Sequence, residues 1–294
     1  MVVVKFSIIV VTYNRAELMN KFLTQFRYME YPPSLYEVII VDNGSTDYTL
    51  TVCIQAKKAL SNLRYVYESR GGQSFARNTG ISAAKYSHIL FLDDDEQFPS
   101  IILQQYAAAW KRHPKSYAIG GKILPRLEKN IRNKTGSPIS REFGWMLGKV
   151  DYGDLERGLE YPEALFSGNL SLHVQLRFRS APIFNTKLGR RLVKHVGLGA
   201  EDYELCLRVL LQHRKIVYTP ITVYNTIRMN RISLQYQLLR SFLAGIEHNI
   251  IDRNLTKKYK KHIAFSFSLS ALNNKLSFAF CLGYFGYNLL SLKK

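Results

Sequence analysis

The sequence predicts an α/β fold: a mostly parallel sheet covered by helices on both faces, with a helical extension at the C-terminus. Between residues 6 and 124, short apolar runs alternate with longer segments of helical spacing. The runs are apolar on both faces, which is typical of strands buried inside a parallel sheet. Polar residues directly follow three of these runs, and ligands of α/β proteins bind at the carboxyl ends of the strands.

Five strands and four helices are predicted in this first part of the chain. The strands are short and rich in β-branched residues, which favour extended backbone. Pro99, just before the fourth helix, is a helix-start signal. The predicted strands are Phe6–Val11, Val38–Val41, Leu63–Tyr67, His88–Leu92 and Tyr117–Leu124, and the predicted helices are Glu17–Tyr28, Asp47–Leu60, Ser74–Ala84 and Ser100–Arg112.

The rest of the chain is less regular. Residues 125–165 are rich in charge, glycine and proline, which predicts a long irregular excursion. Leu234, Leu238, Phe242 and Ile246 form one apolar stripe of helical period. The elements predicted after the excursion are ordered structure at Leu165–Leu172, a helix after Asp202, a strand at Lys215–Tyr218 that stops at Pro220, and a helix over Ser233–Ile250.

The composition is that of a packed globular protein with an unusual charge. Apolar residues make up 47% of the chain and charged residues 21%, which excludes a disordered chain, a collagen and a coiled coil. The 41 Lys and Arg exceed the 22 Asp and Glu by 19. Residues 206–294 hold 14 of these cations and 2 acids, so +12 of the +19 lies there. Such a surplus indicates an anionic partner.

The three cysteines, Cys53, Cys206 and Cys281, are far apart and form no CxxC pair. A disulfide framework or zinc ribbon is therefore not expected, and a reducing compartment is. The start, Met-Val-Val-Val-Lys, is too short before its first charge for a signal peptide, so we expect a cytoplasmic protein. Neither a P-loop nor a Rossmann glycine motif occurs.

The sharpest motif is the acid cluster, Asp93 to Glu96, which directly follows the apolar run Ile89–Leu92. Adjacent carboxylates repel one another unless a cation neutralises them, and hard oxygen ligands favour Mg²⁺ or Mn²⁺. Asp93 and Asp95 are two residues apart and can face one ligand. The alternative is a solvated acidic turn before a helix, which the helix dipole favours.

Two further motifs are weak when each is taken alone. Gly197–Asp202 places Glu201 and Asp202 at a predicted helix start, which suits either a carboxylate base or ordinary helix stabilisation. Gly71–Asn78 is a glycine-rich loop that opens a helix and carries Arg77. Such a loop can bind phosphate, and the arginine adds a planar donor.

Together, five motifs in this order resemble family 2 glycosyltransferases of the GT-A fold. The resemblance covers about residues 5–250. It implies an enzyme that transfers a sugar, with inversion, from a nucleotide-diphosphate sugar, a UDP-sugar first of all. The acceptor would be a hydroxyl of a glycan or lipid-linked molecule in surface polysaccharide synthesis. The motifs are FSIIVVTYNR (6–15), VIIVDNGSTD (38–47), GGQSFARNTG (71–80), ILFLDDDE (89–96) and GAEDYELCLR (199–208).

The resemblance also implies roles for single residues. Thr12, Tyr13 and Asn14, with Asp42, would hold the base and ribose, and Arg77 would lie against the nucleotide. The acid cluster matches the family's Asp-x-Asp motif. Asp95 would ligate Mn²⁺ or Mg²⁺, Asp93 would serve the metal and the ribose, and Asp94 would lie in the same donor site.

On the acceptor side, the resemblance implies that Asp202 is the catalytic base of the Glu201–Asp202 pair. Gly168-Asn169 would lie beside the donor sugar and acceptor. Many relatives have a metal-binding His where this chain has Asn225, so the metal site either uses that amide oxygen or only acids and phosphates. Arg228 and Arg231 stand where relatives have a basic loop over the diphosphate.

These observations divide the chain into a catalytic domain, 1–250, and a basic, apolar helical tail, 251–294. The domain comprises a nucleotide-binding half, 1–124, and an acceptor-binding half, 125–250. In the tail, the basic run Lys257–His262 precedes Ile263–Leu292, which is too interrupted for a clean membrane span. We expect peripheral binding to the anionic inner face of the plasma membrane. The alternative is a pair of helices packed on the domain.

Three other functions remain open from sequence alone. A nucleotidyltransferase also needs acids and metal, but it carries a glycine-rich signature after the first strand, where this chain has Thr-Tyr-Asn-Arg. A nucleic-acid-binding protein would suit the net charge, yet the surplus lies beside an apolar tail, so no nucleic-acid partner is expected. A non-catalytic scaffold of the same family would not need the intact acids.

Overall fold

The computed structural model describes residues 3–127, 147–175, 182–193, 196–259, 279 and 281–284. Short 3₁₀ helices at Gln25–Tyr28, Pro33–Leu35 and Met229–Ile232 connect the longer elements. In chain order the strands and α-helices are β1 (Phe6–Thr12), α1 (Ala16–Thr24), β2 (Tyr36–Asp42), α2 (Thr49–Lys57), β3 (Leu63–Tyr67), α3 (Gln73–Ala83), β4 (His88–Asp93), β5 (Glu96–Gln97), α4 (Ile102–Arg112), β6 (Ala118–Leu127), β7 (Arg157–Gly158), β8 (Asn169–His173), β9 (Arg190–Val193), β10 (Val196–Leu198), α5 (Glu201–Leu211), β11 (Ile216–Ile227) and α6 (Leu234–Tyr259).

One large sheet organises the described residues. Its strand order is β3-β2-β1-β4-β8-β6-β11-β5, with β7 paired to β11. The pairings are parallel from β3 to β4 and between β6 and β11, whereas β8 runs antiparallel between β4 and β6. The carboxyl ends of β1, β2 and β4 therefore lie at one edge. The predicted α/β class is confirmed, and the five strands and four helices predicted before residue 125 are present with small shifts in their ends.

The sheet core follows from the apolar runs. All seven residues of β2 are buried, as expected for a central strand with both faces covered. On one face, α3 packs closely through Gly80, where an added Cβ would lie 2.5 Å from Ile9 and 3.1 Å from Val41. On the opposite face, the ring of Phe6 makes an edge contact with Tyr31. This packing fixes the strand ends that carry the polar residues.

The prediction that a strand stops at Pro220 is wrong. β11 continues through Pro220 to Ile227, and its register with β6 shifts between Tyr218 and Thr222. Pro220 is exposed at this irregularity, where a missing N–H does not interrupt the ladder. The carbonyl of Ile221 accepts a hydrogen bond from the Asn169 amide at 2.9 Å. The continuation matters because it brings Asn225 into register with Glu96.

The C-terminal helix α6 is longer than predicted and passes through residue 250, the predicted boundary of the tail. It packs on α5 through a second apolar cluster, which includes Leu207 and Ile251. Part of the tail lies against α6. The Tyr284 hydroxyl donates to Asp252 at 2.8 Å, and the Tyr284 backbone carbonyl accepts from the Asn249 amide at 2.9 Å. Residues 260–278 and 285–294 of the tail, and 128–146 of the excursion, lie outside the described residues. Within the described part, no helix has the length and hydropathy to cross a bilayer.

Candidate active site

The loops that follow β1 and β2 are joined by what we call the loop network: Asn14, Asp42, Asn43 and Asp47. Asn14 has a positive φ of 50° and accepts the Thr46 N–H at 2.7 Å. Asp42 is buried, and its two oxygens accept from the Ser45 N–H at 2.8 Å and the Tyr65 hydroxyl at 2.7 Å. The network holds the predicted nucleotide-binding residues Asn14 and Asp42 in one place. Tyr13 lies between Thr12 and Asn14 and is partly exposed.

Thr12, the last residue of β1, and Arg15, three residues later, hold part of the acid cluster. The Thr12 hydroxyl donates to Asp94 at 2.7 Å, and the Arg15 guanidinium donates to Asp94 and, at 3.2 Å, to Asp95. Asp94 is buried, with 2% of its side chain exposed. The carboxylate of Asp94 thus joins the end of β4 to the end of β1.

Asp93 and Glu96 form the other side of the acid cluster. The Asp93 N–H donates to Glu96 at 2.9 Å, and Glu96 is buried. Gly168 lies against both, because a Cβ there would be 2.2 Å from a Glu96 oxygen and 3.2 Å from an Asp93 oxygen. Any larger residue at 168 would displace these carboxylates. Asp93 has 39% of its side chain exposed and Asp95 has 8%.

Arg77 connects the acid cluster to the Glu201–Asp202 pair. Its guanidinium is buried, donates to the Glu201 carboxylate and lies 3.8 Å from Asp93. Burial lowers the pKa of Arg77, but the charges of Glu201, Asp93 and Asp202 outweigh that effect and raise it. Residues 77, 93 and 201 are far apart in sequence, and the fold brings them together at one edge of the sheet.

Asp202 stands at the start of α5 and is partly exposed. One of its oxygens accepts from the Ser167 N–H at 3.0 Å and the Ser167 hydroxyl at 3.2 Å. The preceding Ala200 has a positive φ of 61°, a left-handed conformation that turns the chain into the helix. Glu201, by contrast, is buried, and its second oxygen has no hydrogen-bond partner among the described residues.

Four carboxylates at this edge, those of Asp93, Asp94, Glu96 and Glu201, have a raised pKa and bind protons more readily than free carboxylates do. Burial raises the pKa of Asp93, and the neighbouring acids add to the rise while Arg77 opposes it. Burial likewise raises the pKa of Asp94, Glu96 and Glu201. Such shifts are typical of functional sites, where like charges are held together against their repulsion.

The donor atoms suit a hard divalent cation. No group of three or more His, Cys, Asp or Glu side chains within the described ranges is arranged to hold a metal. The residues whose chemistry suits such a cation are Asp93, Asp95 and Asn225, all oxygen donors of the kind Mg²⁺ and Mn²⁺ prefer. Asn225 is buried in register with Glu96, and its amide oxygen has no partner among the described residues. An orphaned buried oxygen calls for a ligand.

Sequence reasoning missed the contributions of Arg15, Glu96 and Ser167. Arg15 and Glu96 each follow a predicted strand within one of the five motifs, and this shared position at the carboxyl ends of strands is the signal that points to their part in the site. Ser167 has no local signal, because its contact with Asp202 spans 35 residues. Asn169, expected beside the donor sugar, is fully buried and bonds to the carbonyls of Lys122 and Ile221.

The family model for "Glycosyl transferase family 2" matches residues 7–162, which is more than half of the chain. The chain belongs to glycosyltransferase family 2. This assignment confirms the resemblance to family 2 glycosyltransferases that the motifs indicated.

Curated relatives of this glycosyltransferase match over short segments. Glycosyltransferase AglE of Haloferax volcanii is 41% identical over 90 residues, which are 30% of each chain. The poly(ribitol-phosphate) β-N-acetylglucosaminyltransferase TarS of Staphylococcus aureus is 30% identical over 110 residues, 37% of this chain and 19% of TarS. The matches thus cover less than a third of either relative's own length.

Solved structures agree with the fold of this glycosyltransferase over most of its length. The mannosyltransferase PcManGT of Pyrobaculum calidifontis, in complex with GDP-Man and Mn²⁺, has a TM-score of 0.62 at 17% identity and covers 99% of this chain and 74% of its own. TarS 1-349 of S. aureus, in complex with UDP-GlcNAc, has a TM-score of 0.56 at 19% identity and covers 95% and 81%. The fold is therefore that of the GT-A glycosyltransferases.

Proposed function

We propose that this glycosyltransferase moves a sugar from a nucleotide-diphosphate sugar to a hydroxyl of a glycan or lipid-linked acceptor, with inversion at the anomeric carbon. The observation that carries the proposal is the meeting of Asp93, Arg77, Glu201 and Asp202 at one sheet edge. Related proteins support the substrate class, since TarS and PcManGT were solved with UDP-GlcNAc and GDP-Man. Surface polysaccharide synthesis is the process in which such a reaction fits.

Asp202 acts as the general base in this proposal. It is the more exposed carboxylate of the pair, and Ser167 fixes one of its oxygens. Its carboxylate accepts the proton of the acceptor hydroxyl as that oxygen attacks the anomeric carbon. Glu201 is buried against Arg77 and so is not placed to act as a nucleophile on the sugar. One base without a carboxylate nucleophile gives inversion.

The donor side is proposed to use the nearby acids and arginines. Asp93 and Asp95, with the amide oxygen of Asn225, would hold Mn²⁺ or Mg²⁺. When bound, the cation would neutralise charge that develops on the leaving diphosphate. Thr12, Tyr13, Asn14 and Asp42 would bind the nucleoside, and Arg228 and Arg231 would cover the diphosphate. Arg77 holds Glu201 and Asp93 in place, and it would lie beside the nucleotide.

Thermal stabilisation by nucleotide sugars tests this proposal directly. Ligands that bind only the folded state raise its stability, by about 2.7 kcal/mol at a hundred times Kd. We expect UDP-glucose, UDP-GlcNAc or GDP-mannose to raise the Tm with Mn²⁺ and to do so less with EDTA. NMR of the product anomer then checks inversion. A Tm that none of the three nucleotide sugars changes would contradict the donor assignment.

A second part of the proposal is peripheral attachment to an anionic membrane surface on the cytoplasmic side. Lys257 and Lys258 are exposed at the end of α6, and the basic run continues to residue 261. Clustered lysines attract anionic lipid by about 1 kcal/mol each. We expect the full chain to float with phosphatidylserine vesicles, and a variant with Lys257, Lys258, Lys260 and Lys261 changed to Gln to float less. Equal flotation of both proteins would favour a tail packed only on the domain.

A further inference from the structure

The turn at Gly199 and Ala200, which leads into the Glu201–Asp202 pair, is bonded to helix α6. The N–H of Gly199 donates to the Glu247 carboxylate at 2.5 Å, across 48 residues of sequence. Glu247 is buried, with 1% of its side chain exposed. A buried carboxylate that accepts a backbone N–H one residue before Ala200 constrains the path of the chain into α5.

A second residue of α6 fixes Glu247 itself. Arg240 binds it through two parallel hydrogen bonds of 2.7 and 2.8 Å. Two-pronged arginine–carboxylate pairs restrict both distance and orientation. Arg240 also lies close to the turn, since a Cβ at Gly199 would be 3.3 Å from its guanidinium. Burial lowers the pKa of Arg240, but the charge of Glu247 and its hydrogen bond, with a smaller contribution from Glu201, raise it.

The turn needs such support because its backbone conformation is disfavoured. Ala200 is held at a positive φ of 61°, where a residue with a Cβ is strained. Relaxation of Ala200 would rotate the first turn of α5, which carries Glu201 and Asp202. On the other side, Arg77 and Ser167 hold these two carboxylates. The turn between them is thus clamped from two directions.

We propose that Glu247, held by Arg240, is a positioning residue that sets the orientation of Asp202 toward the acceptor hydroxyl. The inference rests on the proposed role of Asp202 as base. It makes α6, whose last nine residues lie in the predicted tail, a part of the catalytic apparatus. Misplacement of a catalytic group by about 1 Å can reduce rate about 100-fold, so a modest movement of this turn suffices.

Backbone amide exchange in the full-length protein tests the clamp without a substrate. In Glu247→Ala we expect the peptide that covers residues 196–204 to exchange faster by about tenfold at Gly199, as local opening becomes easier. Glu247→Gln keeps an acceptor oxygen for this N–H and should exchange more slowly than Glu247→Ala. The matched control is Glu156→Ala, which removes another two-pronged pair, with Arg112 at 3.3 and 2.7 Å, at the other end of β11. Unchanged exchange in Glu247→Ala overturns the inference.

Turnover separates positioning from plain stability. The probes are UDP-glucose, UDP-GlcNAc and GDP-mannose with Mn²⁺, assayed by nucleoside diphosphate release well below the Tm of each variant. We expect kcat of Glu247→Ala to fall about 10- to 100-fold with KM for the donor unchanged, substantial recovery in Glu247→Gln, and no change in Glu156→Ala. A kcat unchanged in Glu247→Ala overturns the inference.

The same assay with Asp202→Asn distinguishes the two levels of failure. If Asp202→Asn is inactive while Glu247→Ala keeps full kcat, only the positioning role is overturned. If Asp202→Asn keeps full kcat, the proposed base itself is wrong, and the positioning role that rests on it falls with it.

Discussion

The loop network and the acid cluster come from the same sequence pattern, polar residues directly after a buried strand, but they differ physically. In the loop network, N–H and O–H donors reach the carboxylates of Asp42 and Asp47. Asp42 is satisfied on both oxygens. Burial raises the pKa of Asp47, but hydrogen bonds from Thr49 and Ala16 outweigh it and lower the pKa. In the acid cluster, burial and mutual repulsion raise the pKa of Asp93, Asp94 and Glu96.

This difference in hydrogen bonding indicates where a cation would bind. A carboxylate with its own donors contributes to loop structure and gains little from a bound cation. The acid cluster, together with Glu201, places five carboxylates near two guanidinium groups, those of Arg15 and Arg77. A bound cation would reduce this excess of negative charge, which is why we propose the acid cluster as the cation site.

The largest expected effect is loss of catalysis in Asp202→Asn. We expect kcat for sugar transfer to fall about 10²- to 10⁴-fold, because an amide cannot accept the acceptor proton. Nucleotide binding, measured by calorimetry, should stay near the wild-type value. Asp154→Asn, an exposed aspartate in an ion pair with Lys122, is the control and should retain full kcat. Near-normal turnover of Asp202→Asn would remove the proposed base.

Asp93→Asn is expected to raise the stability of the metal-free protein and to weaken binding of Mn²⁺ with a nucleotide sugar. Since the pKa of Asp93 is raised, its ionised form destabilises the folded state at pH 7, and the neutral amide relieves this. The Tm without metal should rise, and this gain should shrink as the pH falls and Asp93 itself becomes protonated. The affinity for Mn²⁺ with a nucleotide sugar should fall by about 10- to 100-fold, so the rise in Tm that they cause should be smaller. A lower Tm with undiminished Mn²⁺ dependence would contradict both parts.

Asp42→Asn, in the loop network, should lower the stability of the folded protein. The amide keeps one acceptor oxygen for two donors, the Ser45 N–H and the Tyr65 hydroxyl, so one donor is left unpaired and we expect the free energy of unfolding to drop by about 1–3 kcal/mol. Urea unfolding measures this, and Tyr65→Phe should cost less because it leaves no donor unpaired. The control is Tyr67→Phe on the same strand, where the ring is 59% exposed. An Asp42→Asn protein as stable as the wild type would mean that the two regions do not differ as described.

The smallest effect concerns Glu68, which follows β3 beside the loop network. Hydrogen bonds from Arg70 and Thr79 lower the pKa of Glu68 to about 2 from 4.5. A lowered pKa gives stabilisation that is present above pH 4.5 and is lost as the pH falls toward 2. Glu68→Gln should thus cost about 1 kcal/mol at pH 7 and less at acid pH. Equal losses in urea unfolding at both pH values would show that charge is not the cause.

Much of the fold could be predicted because its signals are local. The runs at β1, β2, β3 and β4 are apolar on both faces, and only a buried parallel sheet satisfies such strands. Local signals failed at Pro220, where a lone proline indicated a strand end. The long-range pairing of β11 with β6 overrides it, because the irregularity leaves the proline exposed and Asn169 bonds to the adjacent carbonyl.

The sequence by itself determined the α/β class, the family, and the acids and arginine that lie at the carboxyl edge of the sheet. Only the tertiary structure decided how they pair: Arg15 with Asp94, Arg77 with Glu201, Ser167 with Asp202, and Glu247 with the turn at Gly199. The physical reason is the separation in sequence between the groups that interact. Strand and helix patterns act over a few residues, whereas these hydrogen bonds and ion pairs join positions 35 to 124 residues apart, and they exist only after the sheet has assembled.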